Sequence, residues 1–302
     1  SDKPWFCWMS FPDPHHPWDI PASELHRINW RDVPLPRLYS ENRSQLESWL
    51  NEKPLHWRGY FDGSLWTNLE SPREFVPAEM TADQVREINA MTHIENELID
   101  EAVGDVIGFL HSKQWLRNTD IFFTTDHGEL QGDFGLLFKG PYHIDALMHL
   151  PFIWKPAEVA NISPAEVASP VGHLDLASTF CAIAGISTPD YCEGKPLPTS
   201  EDEAVRQERE IVLTEWDSET GPIDMHLKSI YHRDGFLCTA YEKSHLYEGT
   251  EGELYDMRED PDQLRNLWSD PGYAVHRTEL TDRLYASLPE ETTEKLPRKA
   301  PV

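Results

Sequence analysis

The chain has 302 residues, the size of two domains of about 150 residues each, and it is long enough to bury a sizeable core. Its 53 acidic and 26 basic residues leave a formal net charge of −27. A surface this negative repels phosphate groups, which argues against a nucleic acid or an anionic membrane as partner. A small anionic substrate is still compatible, because a local cluster of cations or a metal ion can override the overall field.

The sequence contains no sign of a membrane span or of a cysteine framework. No apolar run approaches the ~18 residues that a membrane-spanning helix requires. The four cysteines are few, and none stands in C-x-x-C spacing, so we expect neither a set of disulfides nor a structural zinc site. These features leave the compartment and the oligomeric state unassigned.

The first third of the chain contains two predicted elements and a long irregular stretch. A buried strand is predicted at residues 4–11, where the sequence reads PWFCWMSF, and irregular sequence follows to about residue 78. Thr81 begins the clearest helix, since Thr81 and Gln84 can form a capping box. Apolar residues then recur at three- and four-residue steps to about Gln114, which predicts a core-facing stripe.

A short strand is predicted at Asp120–Thr125, with Asp126-His127-Gly128 at its carboxyl end. A helix followed by a strand favours an α/β sheet, in which ligands gather at the carboxyl ends of the strands. A further apolar run follows at Leu150–Trp154. We therefore expect an α/β domain over residues 1–198.

A helix at His173–Ala184, ended by Gly185, is the last predicted element of this domain. Residues 201–210 are charged and are expected to be solvated. Three strands follow, and the Asp234-Gly235 pair between the last two suits a hairpin turn. The predicted strands are Ile211–Trp216, Met225–Tyr231 and Phe236–Tyr241. Residues 199–302 are thus predicted to form a small α+β subdomain with an antiparallel sheet.

Residues 124–155 hold the densest set of side chains that could do chemistry. Asp126 and His127 can both bind a divalent metal, and the adjacent Gly128 lets the backbone approach closely. Lys139 lies 13 residues after Asp126 and could hold a tetrahedral oxyanion. Spacing alone leaves a second interpretation open, in which Asp126 caps a turn and the other side chains are surface charges.

A second candidate is the pair His15 and His16, which follows a Pro-Asp-Pro sequence after the first predicted strand. Two histidines in a proline-rich loop could act on a ligand. They could equally be structural and pack against Trp8 or Trp18. The residues by themselves do not decide between these interpretations.

Five segments in chain order carry motifs that occur together in one family. The segment at residues 6–17, FCWMSFPDPHHP, matches a strand followed by P-H-x-P, and residues 122–140 match an S-D-H-G-E…G-D-H-G-L…K-G block. Residues 150–153, 173–186 and 253–267 match a V-P-L-I strand, a D-L-x-P-T-x-L-x-L-A-G-I helix and an E-L-Y-D…D-P…N-L tail. Together they resemble the type I sulfatases of the alkaline-phosphatase superfamily, which also includes phosphonate and phosphate ester hydrolases.

The resemblance implies an alkaline-phosphatase-like α/β sheet with flanking helices, here incomplete, and it assigns roles to particular residues. It makes Asp126 and His127 metal ligands, although many members have Asn at the position of His127. Ca²⁺ is the favoured ion, ahead of Mg²⁺ or Mn²⁺. Lys139 and His15 would contact the sulfate or the leaving oxygen as catalytic and substrate-binding residues. His16 matches a variable position.

The family nucleophile is missing from this sequence. In the family it is a cysteine or serine of a C/S-x-P-x-R motif, converted to formylglycine, and it precedes all five segments. No cysteine or serine of this chain stands in that motif, and the paired aspartates that supply the other metal ligands are missing as well. We therefore interpret the chain as the C-terminal portion of a sulfatase that lacks roughly 100–200 residues and is inactive alone.

In an intact protein, the resemblance implies hydrolysis of a small-molecule sulfate ester. The formylglycine hydrate would attack sulfur, Asp126 would take up its proton, and Lys139 or His15 would protonate the departing alcohol. Two alternatives stay open: hydrolysis of phosphonate or phosphate esters at the same site, and a non-catalytic remnant or binding module.

Overall fold

The computed structural model describes residues 3–65, 75–220 and 223–289, and the chain divides into two compact units, residues 1–165 and 166–302. Residues 166–198 lie in the second unit, although the sequence pattern groups them with the first domain. The domain boundary predicted near residue 198 stays a prediction, because a compact unit need not coincide with a domain that motifs define.

The buried strand predicted at residues 4–11 is wrong. Within the described ranges this segment joins no sheet, and its large side chains are exposed: Trp5 by 52%, Phe6 by 67% and Trp8 by 70%. The ring of Trp5 lies 6.2 Å from that of Trp115. An apolar run has the composition of a buried strand, but burial also requires a neighbouring strand and a covering layer. The described residues provide neither for this segment.

The stretch predicted to be irregular contains two short helices. Helix α1 (Arg43–Asn51) begins after Asn42, whose side chain accepts the N–H of Ser44, and helix α2 (Leu55–Phe61) begins after Pro54. Each has about two turns, which is too short for a recognisable apolar period. Their buried residues are Leu46 and Leu50 on α1 and His56, Trp57, Gly59, Tyr60 and Phe61 on α2. Residues 66–74 of the same stretch lie outside the described ranges.

Helix α3 (Ala82–Ser112) confirms the long helix and its capping box. The hydroxyl of Thr81 accepts the N–H of Gln84 at 3.3 Å, and the Gln84 side chain accepts the N–H of Thr81 at 2.9 Å. Its first half buries Val85 and Ile94 completely. Apolar side chains near its C-terminal end are exposed, namely Val106, Ile107 and Phe109. The predicted core-facing stripe fails at Val106, whereas its last member, Leu110, is buried.

Strands β1 (Ile121–Thr124) and β2 (Phe152–Lys155) form the two-stranded sheet of the first unit. They pair in antiparallel fashion, with Thr124 opposite Phe152. The predicted strand positions are confirmed to within two residues. Because the pair is antiparallel, the carboxyl end of β1 lies beside the amino end of β2, not in a row of parallel strand ends.

The chain between β1 and β2 folds into a closed loop that carries the candidate lysine. The N–H of Leu130 donates to the carbonyl of Phe138 at 3.1 Å, so the loop returns to its own start just before Lys139. The side chain of Asn89 on α3 donates to the carbonyl of Gln131 at 2.9 Å. A short helix, α4 (Asp145–Met148), precedes β2.

The second unit begins with helix α5 (Leu174–Ala184), which confirms the predicted helix and its glycine end: Gly185 adopts a left-handed conformation with φ of 67°. The charged stretch after residue 200 is not uniformly solvated, contrary to expectation. It forms helix α6 (Glu201–Arg206), buries Ala204 completely and leaves Arg209 only 6% exposed.

Four antiparallel strands and a helix complete the second unit. The sheet has the strand order β3-β4-β5-β6, and Gly235 at the β4–β5 hairpin has a φ of 87°, as the predicted turn requires. The strands are β3 (Ile211–Thr220), β4 (Ile223–His232), β5 (Phe236–Tyr241) and β6 (Gly252–Asp256). Helix α7 (Ala274–Ser287) packs on one face, where Leu280 and Leu284 join Ile230 and Leu254 in the core.

The two units agree with the predicted fold class. Helices and a short sheet occur together in the first unit, and the second unit carries the antiparallel sheet that the strand pattern indicated. In the part of the chain that the structure describes, no helix combines the length and the apolar character that crossing a bilayer demands.

Candidate functional site

Asp126 and His127 stand directly after β1 and contact each other. The Oδ1 atom of Asp126 accepts the N–H of His127 at 3.0 Å and the hydroxyl of Thr125 at 3.3 Å. Partial burial raises the pKa of Asp126, but the His127 side chain and these donors outweigh it, so that the pKa lies below its ordinary value. The alternative interpretation, in which Asp126 caps a turn, accounts only for the hydrogen bonds that Oδ1 accepts. The side chain as a whole is 83% exposed and is free to bind a ligand.

The geometry of this pair fits two ligands of one cation. Nδ1 of His127 lies 2.8 Å from the carbonyl of Gly128, which can only accept, so Nδ1 carries the proton and Nε2 keeps a lone pair. That Nε2 lies 3.6 Å from Oδ2 of Asp126. Two atoms that each lie about 2.3–2.6 Å from the same ion stand at most about 5 Å apart, so a separation of 3.6 Å is compatible with one shared cation. Among the described residues, no three His, Cys, Asp or Glu side chains could hold a metal ion together.

Gly128 explains how the backbone turns at this point. Its N–H donates to the carbonyl of Leu147 at 3.0 Å, and an added Cβ would lie 1.9 Å from the carbonyl oxygen of Ala146. Any other residue would force α4 away from the end of β1.

His15 and Lys139 are 124 positions apart in sequence, and the structure brings their side chains into contact. Nζ of Lys139 lies 2.6 Å from Nε2 of His15, and Nδ1 of His15 lies 2.7 Å from the carbonyl of His16. Because an ammonium group only donates, Nε2 of His15 accepts and Nδ1 donates. The contact thus selects the neutral Nδ1–H tautomer of His15 beside a charged lysine.

An aromatic cluster holds the two chain segments together. The ring of His16 lies 4.7 Å from that of Phe138, and Trp18 stacks on Phe138 with ring centres 5.7 Å apart. Phe138 precedes Lys139, so the cluster places the histidine loop beside the lysine loop. The structural interpretation of the histidine pair accounts for His16, which packs against Phe138 and Trp18. The ring of His15 instead contacts Lys139.

The structure therefore joins the four predicted site residues into two pairs, Asp126 with His127 and Lys139 with His15. We expect the two pairs to converge on a single cleft, because the closed loop after β1 connects them over a short stretch of chain.

Three buried polar residues near these segments carry no sequence signal and were missed. His56 and Tyr60 on α2 hydrogen-bond to the carbonyls of Pro141 and Leu137, which flank Lys139. Glu95 on α3 is 3% exposed, and burial together with the charges of two aspartates raises its pKa to about 7. The aspartates are Asp13 and Asp19. These residues contact segments that are far away in the chain, so the sequence around them shows no pattern that would reveal the contacts.

Two family models match the chain and together cover most of it. The model of the sulfatase family matches residues 1–186, and the model described as N-sulphoglucosamine sulphohydrolase, C-terminal, matches residues 132–290. The first match includes all four predicted site residues. The second includes the loop with Lys139 and the antiparallel sheet of the second unit.

Curated proteins similar to this chain include sulfatases of bacteria and of mammals. An uncharacterised sulfatase of Escherichia coli K12, YidJ, is 29% identical over 285 residues, which is 94% of this chain and 51% of the relative. A delta 4,5-hexuronate-2-O-sulfatase of Bacteroides thetaiotaomicron is 28% identical over 247 residues, 75% of this chain and 49% of the relative. The chain thus spans about half the length of these relatives.

Solved structures with the same fold belong to the alkaline-phosphatase-like group. The phosphonate monoester hydrolase of Agrobacterium radiobacter superposes with a TM-score of 0.78 at 21% identity, covering 95% of this chain and 57% of that one. A 2-O GAG sulfatase superposes with a TM-score of 0.56 at 23% identity, and the match covers 85% of this chain and 50% of that one. These likenesses confirm the predicted alkaline-phosphatase-like fold. The model of the sulfatase family matches more than half of the residues of this chain. The chain therefore belongs to the sulfatase family.

Proposed function

We propose that this protein hydrolyses sulfate esters of small molecules, and that Lys139 and His15 bind the ester and protonate its leaving group. The observation that carries the proposal is the 2.6 Å contact between Nζ of Lys139 and Nε2 of His15. Membership of the sulfatase family supports the same reaction class.

The contact suits proton delivery to a departing alcohol. The ammonium group of Lys139 contacts His15, and an ammonium group can also donate to the oxygens of a sulfate group. As the ester bond breaks, negative charge builds on the alcohol oxygen, and a nearby positive charge stabilises it. Either partner can supply the proton, because a proton passed from Lys139 to Nε2 of His15 leaves the pair with the same total charge.

Asp126 and His127 are proposed to hold a divalent cation, with Ca²⁺ favoured over Mg²⁺ or Mn²⁺. The exposed carboxylate of Asp126 is an oxygen ligand of the kind that Ca²⁺ takes, and the imidazole lone pair of His127, 3.6 Å away, is a ligand more usual for transition metals. When bound, the cation would supply positive charge that polarises the ester. Two ligands alone hold Ca²⁺ weakly, since it takes about 6–8 oxygen ligands.

The nucleophile is proposed to be a formylglycine in a part of the polypeptide outside these 302 residues. No cysteine or serine of the chain stands in a C/S-x-P-x-R motif. We therefore expect the isolated chain to release sulfate from an aryl sulfate no faster than buffer, because covalent catalysis and part of the metal site are missing. Robust turnover by the purified chain alone would contradict this assignment.

The decisive experiment compares variants in a full-length polypeptide that includes the nucleophile. Lys139→Met and His15→Asn should each lower turnover of an aryl sulfate by about 10²–10⁴-fold, as the loss of a general acid does. Asp126→Asn should abolish turnover and weaken Ca²⁺ binding, measured by calorimetry. His111→Gln and Asp105→Asn change exposed residues of α3 and serve as matched controls. Unchanged turnover in Lys139→Met would refute the proposed roles.

Paired substrates separate the alternatives. An aryl sulfate and the matching aryl phosphonate monoester should be offered to the same full-length protein, and faster sulfate release is the expected result. Faster phosphonate hydrolysis would replace the sulfatase assignment by the second ester class. Turnover of neither ester, in a protein that has formylglycine and Ca²⁺, would indicate a non-catalytic chain.

A further inference from the structure

Two side chains of helix α2 hydrogen-bond to the backbone on either side of Lys139. The hydroxyl of Tyr60 donates to the carbonyl of Leu137 at 3.2 Å, and Nε2 of His56 lies 2.9 Å from the carbonyl of Pro141. Leu137 is two residues before Lys139, and Pro141 is two residues after it. His56 and Tyr60 are four residues apart, so one face of a helix presents both donors.

Both donors are completely buried, which makes these bonds costly to lose. His56 and Tyr60 are at most 1% exposed. Burial lowers the pKa of His56 to about 3, so its ring is neutral, and donation to the carbonyl of Pro141 places the proton on Nε2. A buried carbonyl left without its donor is unfavourable, and this holds the loop to α2.

Ring contacts hold the same segment from a second direction. The ring of Tyr142 stacks on that of His56 with centres 5.1 Å apart, and it meets the ring of Trp57 edge-on at 4.7 Å. Trp57 also meets Phe134 edge-on at 5.3 Å. The residues around Lys139 are thus held by hydrogen bonds at two carbonyls and by packing of the rings that flank them.

Lys139 itself is held less firmly by local structure. Gly140 follows it with a φ of 147°, a conformation that other residues rarely adopt, so this backbone position is intrinsically permissive. The lysine side chain adds a flexible four-carbon stem. A well-defined contact with His15 at 2.6 Å therefore requires that the backbone be fixed from outside the loop.

We propose that α2 is a two-point clamp, formed by His56 and Tyr60, that positions Lys139 for its contact with His15. Both are positioning residues, since the two hydrogen bonds of the clamp go to the backbone on either side of Lys139. The catalytic meaning of the clamp rests on the proposed function above. The contact that it maintains can be measured without any turnover.

The test reads the ring nitrogens of His15 by NMR in the 302-residue chain with ¹⁵N-labelled histidine. His15→Asn assigns the signal by its loss, and Lys139→Met gives the reference position of His15 without its lysine donor. Tyr60→Phe removes one oxygen atom and His56→Phe removes the ring N–H donor. In both variants the Nε2 signal of His15 should shift from its native position towards that of Lys139→Met.

Rescue and control variants separate positioning from simple loss of stability. His56→Gln keeps an N–H donor near the position of Nε2, so it should restore the native His15 signal that His56→Phe loses. Tyr39→Phe removes a hydroxyl that approaches the carbonyl of Met80 and should leave the His15 signal unchanged. Thermal unfolding of each variant confirms that the chain is folded at the temperature of the measurement.

A native His15 signal in folded Tyr60→Phe and His56→Phe would overturn the clamp. So would a shift in His56→Phe that His56→Gln fails to reverse. In the full-length protein, the two Phe variants should lower turnover by up to about 100-fold, as a misplacement of about 1 Å does. Absent turnover together with the expected His15 shifts would refute the proposed function and leave the clamp intact.

Discussion

Arg209 shows at the residue scale how a buried ion pair joins three segments of the second unit. Its guanidinium donates to Oδ2 of Asp175 at 2.7 Å and to the carbonyls of Lys195 and Pro196, each at 2.9 Å. The side chains of Arg209 and Asp175 are only 6% and 10% exposed. Removing one partner leaves the other charge buried without compensation.

We expect Arg209→Met to lower the free energy of unfolding by about 3–5 kcal/mol, the typical cost of breaking a buried ion pair. The measurement is the urea midpoint and slope of the transition of the second unit. Arg265→Met is the matched control, because Arg265 pairs with Asp270 while 68% exposed and should change stability by at most about 1 kcal/mol. Equal effects of the two substitutions would show that the burial of Arg209 has no energetic consequence.

His226 illustrates coupling between neighbouring elements, because it stands on β4 directly opposite Asp217 on β3. Its Nδ1 lies 2.7 Å from Asp217, and its Nε2 lies 3.2 Å from Asp224. Lys228 bonds to the same Asp217 at 3.2 Å. Chiefly because of the hydrogen bond with Asp217, the pKa of His226 lies above its ordinary value of 6.5.

This raised pKa predicts a pH-dependent contribution to the stability of the β3–β4 pair. The folded state holds the proton of His226 more tightly than the unfolded state, so the stabilisation is complete below pH 6.5 and is lost as the pH rises through the raised pKa. Free energies of unfolding measured across this range should show a difference between wild type and His226→Gln that shrinks with rising pH. His276→Gln, which changes an exposed histidine of the same unit, is the control variant. A difference independent of pH would contradict the charged pair.

The charge of the whole molecule sets its response to salt. A net charge of −27 on 302 residues produces self-repulsion that is stronger in the compact state than in the unfolded chain. Raising monovalent salt from 0.01 to 0.15 M shortens the screening length from about 30 to about 8 Å. We therefore expect the melting temperature to rise over this range, equally in NaCl and KCl. A fall would show that screening of ion pairs, such as that of Arg27 with Glu101, outweighs the relief of repulsion.

Elements defined by local chemistry were predictable from the sequence. The capping box at Thr81, the left-handed Gly185 and the Asp234-Gly235 turn each depend on residues within a few positions of one another. The apolar segment at residues 4–11 was not predictable, because its exposure depends on what lies beside it. Helix α2 was missed for the same reason, since its buried face is defined by a loop about 80 residues away.

The sequence by itself determined the family, the placement of Asp126 and His127 at the end of β1, and the candidacy of His15 and Lys139. Motif order and local spacing are enough for such assignments, because the residues concerned are neighbours in the chain or parts of a linear pattern. Only the tertiary structure decided that Nζ of Lys139 contacts Nε2 of His15, which tautomer His15 adopts, and that His56 and Tyr60 flank the lysine. These features depend on loop closure and on packing between distant segments, and no local interaction encodes them.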